Sequence, residues 1–188
     1  MKKMITLFIV LGMCLVFLPK AVADLNDGLV AYYPFNGNAD DESGNGNHGT
    51  VVGASLTADR HGIDNRAYSF DGLDDYIDCG DDPDFYFGTN DFSIVAWVKT
   101  SADIIGWGLG RDDIVGKGDA TISGYFLSIR NNRAVFFIGN NTELDGINEI
   151  NDGFWHLIIG VRKSNQANLY IDGELKTTGS NGESVDNL

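Results

Sequence analysis

Apolar and polar residues alternate along most of this chain, and no segment shows a sustained helical period. The clearest case is residues 92–98, where Phe92 and every second residue after it are apolar and the intervening positions are largely apolar too. A period of two is that of a β-strand, and a strand that is apolar on both faces is covered on both sides. The same alternation predicts strands over these further ranges: 125–130, 134–138, 155–161 and 169–171.

Two dipeptides predict tight hairpin turns between these strands. Asn131-Asn132 separates two of the predicted strands, and Asp172-Gly173 is followed by a returning segment, residues 174–178. Asn, Asp and Gly adopt the positive φ angles that two-residue hairpin turns require. Many short strands joined by close turns indicate an all-β fold, an antiparallel sandwich or barrel, and we expect residues 24–188 to form one domain.

Residues 28–49, GLVAYYPFNGNADDESGNGNHG, begin with a predicted strand at 29–34 and continue as a loop. Oxygen-bearing side chains occupy alternate positions of this loop: Asp41, Ser43, Asn45 and Asn47. The glycines between them let the backbone curl, so that several oxygens can converge on a hard cation such as calcium, which takes about six to eight oxygen ligands. The alternative is that these side chains cap their own turn.

A second acidic segment, FDGLDDY at residues 70–76, contains a turn at Asp71-Gly72 with Asp74 and Asp75 close to it. These carboxylates either add ligands to a calcium site or are solvated acids on a hairpin turn. Calcium is the cation that such oxygen-rich, glycine-bearing loops favour. We therefore predict a structural calcium ion with these ligands: Asp41, Ser43, Asn45, Asn47 and Asp74.

The segment Glu143 to Glu149, ELDGINE, is the candidate for carboxylate catalysis. Glycoside hydrolases of the laminarinase type carry a Glu-x-Asp-x-Glu strand, with or without one inserted residue, whose carboxylates reach one cleft. Here the spacing is longer by a further residue, and Gly146 and Asn148 disfavour a regular strand. The three histidines lack the spacing of a zinc site, and the sequence has no nucleophile elbow or phosphate-binding loop. We predict that the protein is not an enzyme.

The first 23 residues predict a cleaved secretory signal peptide. Lys2 and Lys3 precede an apolar run over residues 5–18, and Ala21-Val22-Ala23 has the small residues of a cleavage site. We therefore expect a mature chain that begins at Asp24, that is extracellular or periplasmic, and that does not insert into a membrane.

Charge and cysteine content narrow the range of partners. The full sequence has a net charge of −14, and without residues 1–23 it keeps 10 basic against 27 acidic residues, a net charge of −17. This charge repels nucleic acid and anionic membranes and argues against both as partners. Cys79 is the one cysteine of the mature chain, so it forms no internal disulfide and is either buried in a strand or available to another molecule.

Seven segments of the chain resemble, in family order, the laminin G-like, concanavalin A-like jelly-roll domains of secreted bacterial proteins, which are related in fold to pentraxins and legume lectins. The segments are GLVAYYPFNGNADDESGNGNHGT (28–50), YSFDGLDDYIDCG (68–80), DFSIVAWVKT (91–100), DIVGKG (113–118), GYFLSIRNNRAVFFIG (124–139), DGFWHLIIGVRK (152–163) and NLYIDGELKTTG (168–179). The resemblance implies an antiparallel β-sandwich of the jelly-roll type and a role in carbohydrate binding or cell adhesion.

Domains of that family continue through further strands beyond the equivalent of Asn187-Leu188. The resemblance therefore implies that residues 24–188 form a domain that is incomplete at its C terminus. An exposed sheet edge and further C-terminal sequence or domains in the full protein are then expected.

Lectins of this architecture bind the apolar side of a sugar ring on an aromatic face and its hydroxyls with Asp or Asn. Trp107, in the loop over residues 104–109, is the aromatic residue that this resemblance favours as a platform, with Arg111 and Asp112 beside it in sequence. We predict a ligand-binding site at Trp107, Arg111 and Asp112. The alternative is an apolar loop cluster that packs over the open end of the sandwich.

These observations together predict a secreted, non-catalytic binding module that recognises a carbohydrate or an extracellular protein, with a structural calcium ion. Two other classes stay open. One is a glycoside hydrolase or polysaccharide lyase, or an accessory domain of such an enzyme. The other is a purely structural domain of a larger surface protein.

Overall fold

Antiparallel strands make up most of the part of the chain that the structure describes. The computed structural model describes residues 26–104, 112–119, 123–139, 142–182 and 184–185, and in these ranges the only helical element is the 3₁₀ turn Pro83–Phe85. The strands are β1 Thr50–Val52, β2 Ser55–Thr57, β3 Ala67–Ser69, β4 Tyr76–Asp78, β5 Phe92–Lys99, β6 Asp112–Asp119, β7 Ser123–Arg130, β8 Arg133–Ile138, β9 Thr142–Glu149, β10 Trp155–Lys163, β11 Gln166–Ile171 and β12 Glu174–Ser180.

Two four-stranded sheets form the body of the fold. One has the order β12-β11-β10-β5 and the other has the order β6-β7-β8-β9, while β1 pairs with β4 and β2 with β3 in smaller sheets. Alternate side chains of the two large sheets meet in one apolar core, and its large members include Phe92, Leu127, Ile129, Phe136, Ile158 and Leu169. The predicted fold class, an all-β antiparallel sandwich of the jelly-roll type, is confirmed.

Hairpin turns with two central residues connect neighbouring strands of the large sheets. Both central residues have positive φ in these turns: Asn131-Asn132, Ser164-Asn165 and Asp172-Gly173. Positive φ at both positions is the type I′ geometry, whose twist matches that of the flanking strands. The first and last of these turns are the two that the sequence predicts. The turn at Ser164-Asn165 has a serine at its first central position, and serine adopts positive φ less readily than Asn, Asp or Gly, so its sequence is a weaker hairpin signal.

The sheets approach each other closely where glycine replaces a larger side chain. A Cβ atom built on Gly160 of β10 would lie 2.7 Å from the ring of Phe136 on β8, so this ring occupies the space that the missing side chain leaves. A Cβ atom on Gly146 of β9 would lie 2.9 Å from Cδ1 of Ile171, on β11 of the other sheet. Packing at this distance fixes β10 against the second sheet.

Strand β9 forms, but it is irregular where the sequence disfavours a regular strand. Asp145 pairs with Val135, whereas the next recorded pair is Glu149 with Arg133, so three residues of β9 lie opposite one residue of β8. The bulge breaks the simple alternation, and Ile147, Asn148 and Glu149 are all exposed. Because of the bulge, Glu149 does not follow Glu143 and Asp145 in the regular alternation of side chains along β9.

The prediction of a strand at residues 29–34 is wrong. This segment has no strand partner, although its residues alternate in character as a strand would. Its backbone groups instead bond to the loop at residues 41–47; for example, Tyr32 accepts a backbone hydrogen bond from Glu42 at 2.8 Å. The period of two correctly indicates extended backbone, but it does not reveal which groups satisfy that backbone.

Cys79 follows β4 and is partly buried, and burial raises the pKa of its thiol. Within the described residues, no helix has the length and apolar character needed to cross a membrane. The predicted signal peptide, residues 1–23, lies outside the described residues and stays a prediction.

Candidate functional site

The carboxylate of Asp41 is the centre of the loop that follows the first extended segment. This residue is 6% exposed, and its Oδ1 accepts hydrogen bonds from the backbone N–H groups of Tyr32 at 2.9 Å and Ser43 at 2.8 Å. Its Oδ2 accepts from the Ser43 hydroxyl at 2.8 Å and from the backbone N–H of Asn47 at 3.0 Å. Burial opposes the charged form, but these backbone and hydroxyl donors lower the pKa of Asp41 to about 2.

The other polar side chains of the loop bond to the extended segment beside it. Asn45 donates from Nδ2 to the carbonyl oxygens of Leu29 at 2.7 Å and Val30 at 2.9 Å. Asn47 donates to the same Val30 oxygen at 3.1 Å, and the Ser43 hydroxyl lies 3.3 Å from it. The loop side chains therefore occupy the positions that a neighbouring strand would otherwise fill.

This geometry favours the self-capped loop over a cation site at Asp41. A carboxylate offers about four acceptor positions, and four N–H or O–H donors already occupy those of Asp41. Asp74 lies in a different group, in which one carboxylate oxygen from each of Asp71, Asp74 and Asp75 lies within 4.8 Å of the others. The structural calcium stays a prediction, and of its predicted ligands Asp74 is the one with a carboxylate neighbourhood that suits a cation.

The predicted ligand-binding site can be placed only in part. Trp107 and Arg111 lie outside the described residues. Asp112 is the first residue of β6, is exposed, and pairs in register with Ile129 of β7. The predicted site at Trp107, Arg111 and Asp112 therefore stays a prediction.

The carboxylates of the ELDGINE segment are held by an arginine on the outer face of the second large sheet. The Arg130 guanidinium donates to Glu143, at 3.1 Å from Nη1, and lies 3.4 Å from Asp145; it also covers the ring of Phe137, with 5.5 Å to the ring centroid. The hydrogen bond to Glu143 raises the pKa of Arg130. Arg130 therefore already donates to the carboxylates of Glu143 and Asp145, two of the three acidic residues of the segment.

A separate cleft with a volume of about 330 Å³ opens where β9, β10 and the β11–β12 turn meet. Its lining consists of Asn148, Glu149, Ile150, Asp152, His156, Ile171, Asp172, Glu174 and Lys176. Seven of these nine side chains are polar, and they come from two stretches of the sequence, residues 148–156 and 171–176. The cleft therefore presents hydrogen-bonding groups to a ligand rather than an apolar pocket.

His156 occupies the centre of this cleft between two carboxylates. Its Nδ1 lies 2.8 Å from Oδ2 of Asp172, and its Nε2 lies 3.1 Å from Oδ1 of Asp152, while the side chain is 14% exposed. Asp172 also accepts the backbone N–H of Leu157 at 2.9 Å, and Asp152 accepts that of Phe154 at 2.9 Å. Both carboxylates are thus fixed in orientation by two donors each.

The lining also contains an ion pair, and an exposed ring lies close to the lining residues in sequence. Lys176 pairs with Glu174 at 2.6 Å within the lining. Phe154, between Asp152 and His156 in sequence, is 70% exposed. Sequence reasoning considered the histidines only as zinc ligands and missed this cleft, because Asp172 reaches His156 only through the pairing of β10 with β11. The sole local signal is the four-residue spacing of Asp152 and His156.

The outer face of the first large sheet carries an apolar row. Val95, Ile159, Tyr170 and Leu175 are successive cross-strand partners, one from each strand of the sheet. Val95 and Leu175 are 59% and 52% exposed, and the exposed Trp97 in the next row carries the guanidinium of Arg60 at 4.8 Å from its ring. Such a row on an outer sheet face is an exposed apolar surface.

The fold and these surfaces define a β-sandwich with polar and apolar binding surfaces on its exterior, and sequence comparison assigns its family. Residues 36–188 match the family described as "Clostridium neurotoxin, N-terminal receptor binding", and the chain belongs to that family. This is not the laminin G-like family, so the resemblance found in the sequence holds at the level of a related β-sandwich. A search of curated proteins gives no match.

Among solved structures, two are similar to this chain over part of its length. One is a pair of domains, LG4-5, of the mouse laminin α1 chain, with 16% identity, coverage of 51% of this chain and 26% of that chain, and a TM-score of 0.40. The other is an S-layer domain-containing protein of Clostridium thermocellum, with 20% identity, coverage of 81% and 73%, and a TM-score of 0.46. The chain spans about a quarter of the length of the laminin chain that it matches.

Replacing Asp41 by Asn tests the self-capped loop directly. The amide nitrogen of Asn cannot accept the hydrogen bonds that Oδ2 now receives, so we expect a loss of about 1–3 kcal/mol in the free energy of unfolding. Chemical denaturation in a chelator and in calcium measures it, with Asp40→Asn as the neighbouring exposed control, for which about 0.5 kcal/mol or less is expected.

The two roles of the loop give different dependence on calcium and pH. A self-capping Asp41 gives the same loss in both buffers, and a loss that appears only with calcium would instead make the loop a metal site. Because the pKa of Asp41 is lowered to about 2, its contribution is present above the ordinary carboxyl pKa and is lost as the pH falls toward 2.

Proposed function

We propose that this protein is a secreted, non-catalytic binding module that recognises a carbohydrate of the extracellular environment. The observation that carries the proposal is the cleft around His156, in which oriented polar side chains converge from β9, β10 and the β11–β12 turn. The family description, N-terminal receptor binding, supports a binding role rather than a catalytic one.

The chemistry of the cleft suits a sugar. Sugar hydroxyls both donate and accept hydrogen bonds, and the cleft offers carboxylate acceptors at Asp152 and Asp172, an ammonium donor at Lys176 and an amide at Asn148. The two aspartates are already oriented by His156, which lowers the entropy cost of binding. Phe154, two residues after Asp152 in the sequence, has an exposed ring of the kind on which sugar rings pack, and we include it in the proposal as an apolar contact.

Charge supports a neutral ligand. The full sequence has a net charge of −14, and the cleft lining contains four carboxylates against one lysine and one histidine. A polyanionic ligand would be repelled by this field, whereas a neutral glycan is not. The predicted site at Trp107, Arg111 and Asp112 belongs to the same proposal as a second contact surface for the glycan.

Recognition of an extracellular protein is the second candidate, and the apolar row on the first sheet favours it. Val95 and Leu175 lie at opposite edges of that sheet and are both more than half exposed. Exposed apolar surface of this kind is typical of protein interfaces, whereas a sugar needs more hydrogen-bonding groups than this row provides.

A calcium ion at the Asp71–Asp74–Asp75 turn is the remaining part of the proposal, in a structural role. Three carboxylate oxygens within 4.8 Å of one another favour a divalent cation there. Two of these side chains already accept backbone hydrogen bonds: Asp75 from Asp71 at 2.9 Å, and Asp71 from Leu73 at 2.8 Å. We therefore expect weak binding, with the exposed Asp74 as the ligand that it needs most.

A glycan array with residues 24–188 tests the carbohydrate proposal. We expect binding to a neutral glycan, and a loss of affinity of about 5- to 150-fold in both Asn148→Ala and Phe154→Ala, since each hydrogen bond or ring contact contributes on the order of 1–3 kcal/mol. Tyr76→Ala removes an exposed aromatic that does not line the cleft and is the matched control. Trp107→Ala, tested in parallel, shows whether the second surface contributes.

The outcomes separate the candidates. If the folded protein binds no glycan but binds an extracellular protein, and Val95→Ser with Leu175→Ser abolishes that binding, the protein candidate is correct. Conversion of a bound glycan into shorter products would contradict a non-catalytic role.

Thermal melting in about 5 mM calcium and in a chelator tests the ion. Selective binding to the folded state raises the melting midpoint, and we expect a rise of about 2–4 °C that Asp74→Asn abolishes. Asp84→Asn, in another acidic segment, should keep the rise. An unchanged midpoint in the unmodified protein would rule out the structural calcium.

A further inference from the structure

We propose that His156, held between Asp152 and Asp172, is a pH-sensitive clamp that fixes the Asp152 carboxylate in the lining of the cleft in mildly acidic solution and loosens it in alkaline solution. The clamp follows from geometry alone. Its effect on a bound ligand rests on the proposed function, because Asp152 also lines the cleft.

The clamp requires a proton on each ring nitrogen. Nδ1 lies 2.8 Å from Asp172 and Nε2 lies 3.1 Å from Asp152, and ionised carboxylates can only accept hydrogen bonds. A neutral imidazole has one N–H, so after deprotonation one of the two carboxylates faces a ring lone pair instead of a donor. The observed arrangement is therefore complete only for the imidazolium.

Other charged groups around the His156 ring either favour the imidazolium or offset each other. Glu149 and Glu174 also line the cleft and favour the imidazolium, while Lys176 opposes it but is paired with Glu174 at 2.6 Å. On the neighbouring segments lie Lys99, next to the strand partner of His156, and Asp103, which accepts a hydrogen bond from Asn151 at 3.1 Å. Carboxylates therefore outnumber cations around His156.

The contact to Asp152 is the one that deprotonation weakens. Asp172 keeps two other links to β10, since it accepts the N–H of Leu157 through its side chain and donates its own N–H to the Leu157 carbonyl, each at 2.9 Å. Asp152 uses one oxygen for both His156 and Phe154, and its contact to the ring is the longer of the two. The remaining proton therefore stays on the Asp172 side, and the Asp152 carboxylate loses its contact to the ring and keeps the Phe154 N–H.

The direction of the pKa changes agrees with this geometry. Burial lowers the pKa of His156, but the hydrogen bonds to Asp172 and Asp152 outweigh burial and raise it above the ordinary 6.5. The pKa of Asp152 is lowered by the Phe154 N–H and by His156, and that of Asp172, against its burial, by His156 and Leu157. A raised histidine pKa stabilises the fold fully below about pH 6.5, and this contribution is lost as pH rises through the folded-state value.

The carboxylates limit the clamp on the acidic side. Their lowered pKa values give stabilisation that is present above about pH 4 and is lost as the pH falls through the folded-state values. The clamp is therefore strongest between about pH 4 and pH 6.5.

Nuclear magnetic resonance titration of the imidazole, without any ligand, tests the clamp. We expect a His156 pKa above 6.5 in the unmodified protein and a fall toward 6.5 in Asp152→Asn and in Asp172→Asn. A His156 pKa at or below 6.5, or one that neither substitution changes, would overturn the proposal.

Hydrogen exchange and melting provide the structural readout. Amides at residues 152–156 should exchange faster at about pH 8.5 than at about pH 5.5, after correction for intrinsic rates, and His156→Gln should remove that difference. The melting midpoint lost in His156→Gln should be about 2–4 °C larger at the lower pH, with His61→Gln as the exposed control. Equal losses at both pH values would make His156 a packing residue only. A confirmed clamp in a protein that binds no glycan would separate this inference from the proposed function.

Discussion

Strand register is the constraint on which the rest of this structure depends. Side chains alternate between the two faces of a strand, so a slip of one residue would move every core side chain to solvent and every outer side chain into the core. The pairing of Ile158 with Ile171 and of Lys163 with Gln166 fixes β10 against β11. With that register, core residues such as Leu169 stay inside and Leu157 lies beside Asp172. His156 is then in reach of the Asp172 carboxylate.

Two devices hold that register. The Ser164-Asn165 turn joins β10 to β11 with two residues of positive φ, and the Asp172-Gly173 turn joins β11 to β12 in the same way. The close approach of Gly160 to Phe136 then holds β10 against the opposite sheet, since a larger side chain would collide with the ring. The cleft forms at the point where these elements end, so its polar groups are positioned by the packed core beneath them.

Charged and polar side chains complete the structure where strands do not. Asp41 and the asparagines of its loop satisfy the extended segment at residues 29–33, and Arg130 joins Glu143 to Asp145 across the outer face of the second sheet. His156 does the same between Asp152 and Asp172. In an acidic chain, these local partners set which carboxylates remain available to a ligand or a cation. Among the described residues, no hydrogen-bond donor occupies the Asp74 carboxylate in the way that four donors occupy that of Asp41.

The sequence predicts the parts of the fold that depend on neighbours along the chain. Period-two alternation predicts β5 and β10, and positive-φ residues predict the turns at Asn131-Asn132 and Asp172-Gly173, because both are local properties. The prediction of a strand at residues 29–34 is wrong, because alternation cannot show which groups satisfy the backbone. The Val30 carbonyl accepts hydrogen bonds from Asn45 and Asn47 instead of from a neighbouring strand. The cleft was missed because Asp152 and Asp172 meet at His156 only after two strands pair. Trp107 and Arg111 lie outside the described residues, so their site stays a prediction.

The most direct test of this account is the register of β10 against β11, measured by contacts between backbone protons in a nuclear magnetic resonance spectrum of residues 24–188. The account predicts contacts that pair Ile159 with Tyr170 and Val161 with Asn168. Contacts that pair Ile159 with Leu169 or with Ile171 would show a register shifted by one residue. That result would turn the His156 side chain away from the face of β10 that it shares with Ile158 and out of reach of Asp172, and would contradict the cleft, the clamp and the function proposed from them.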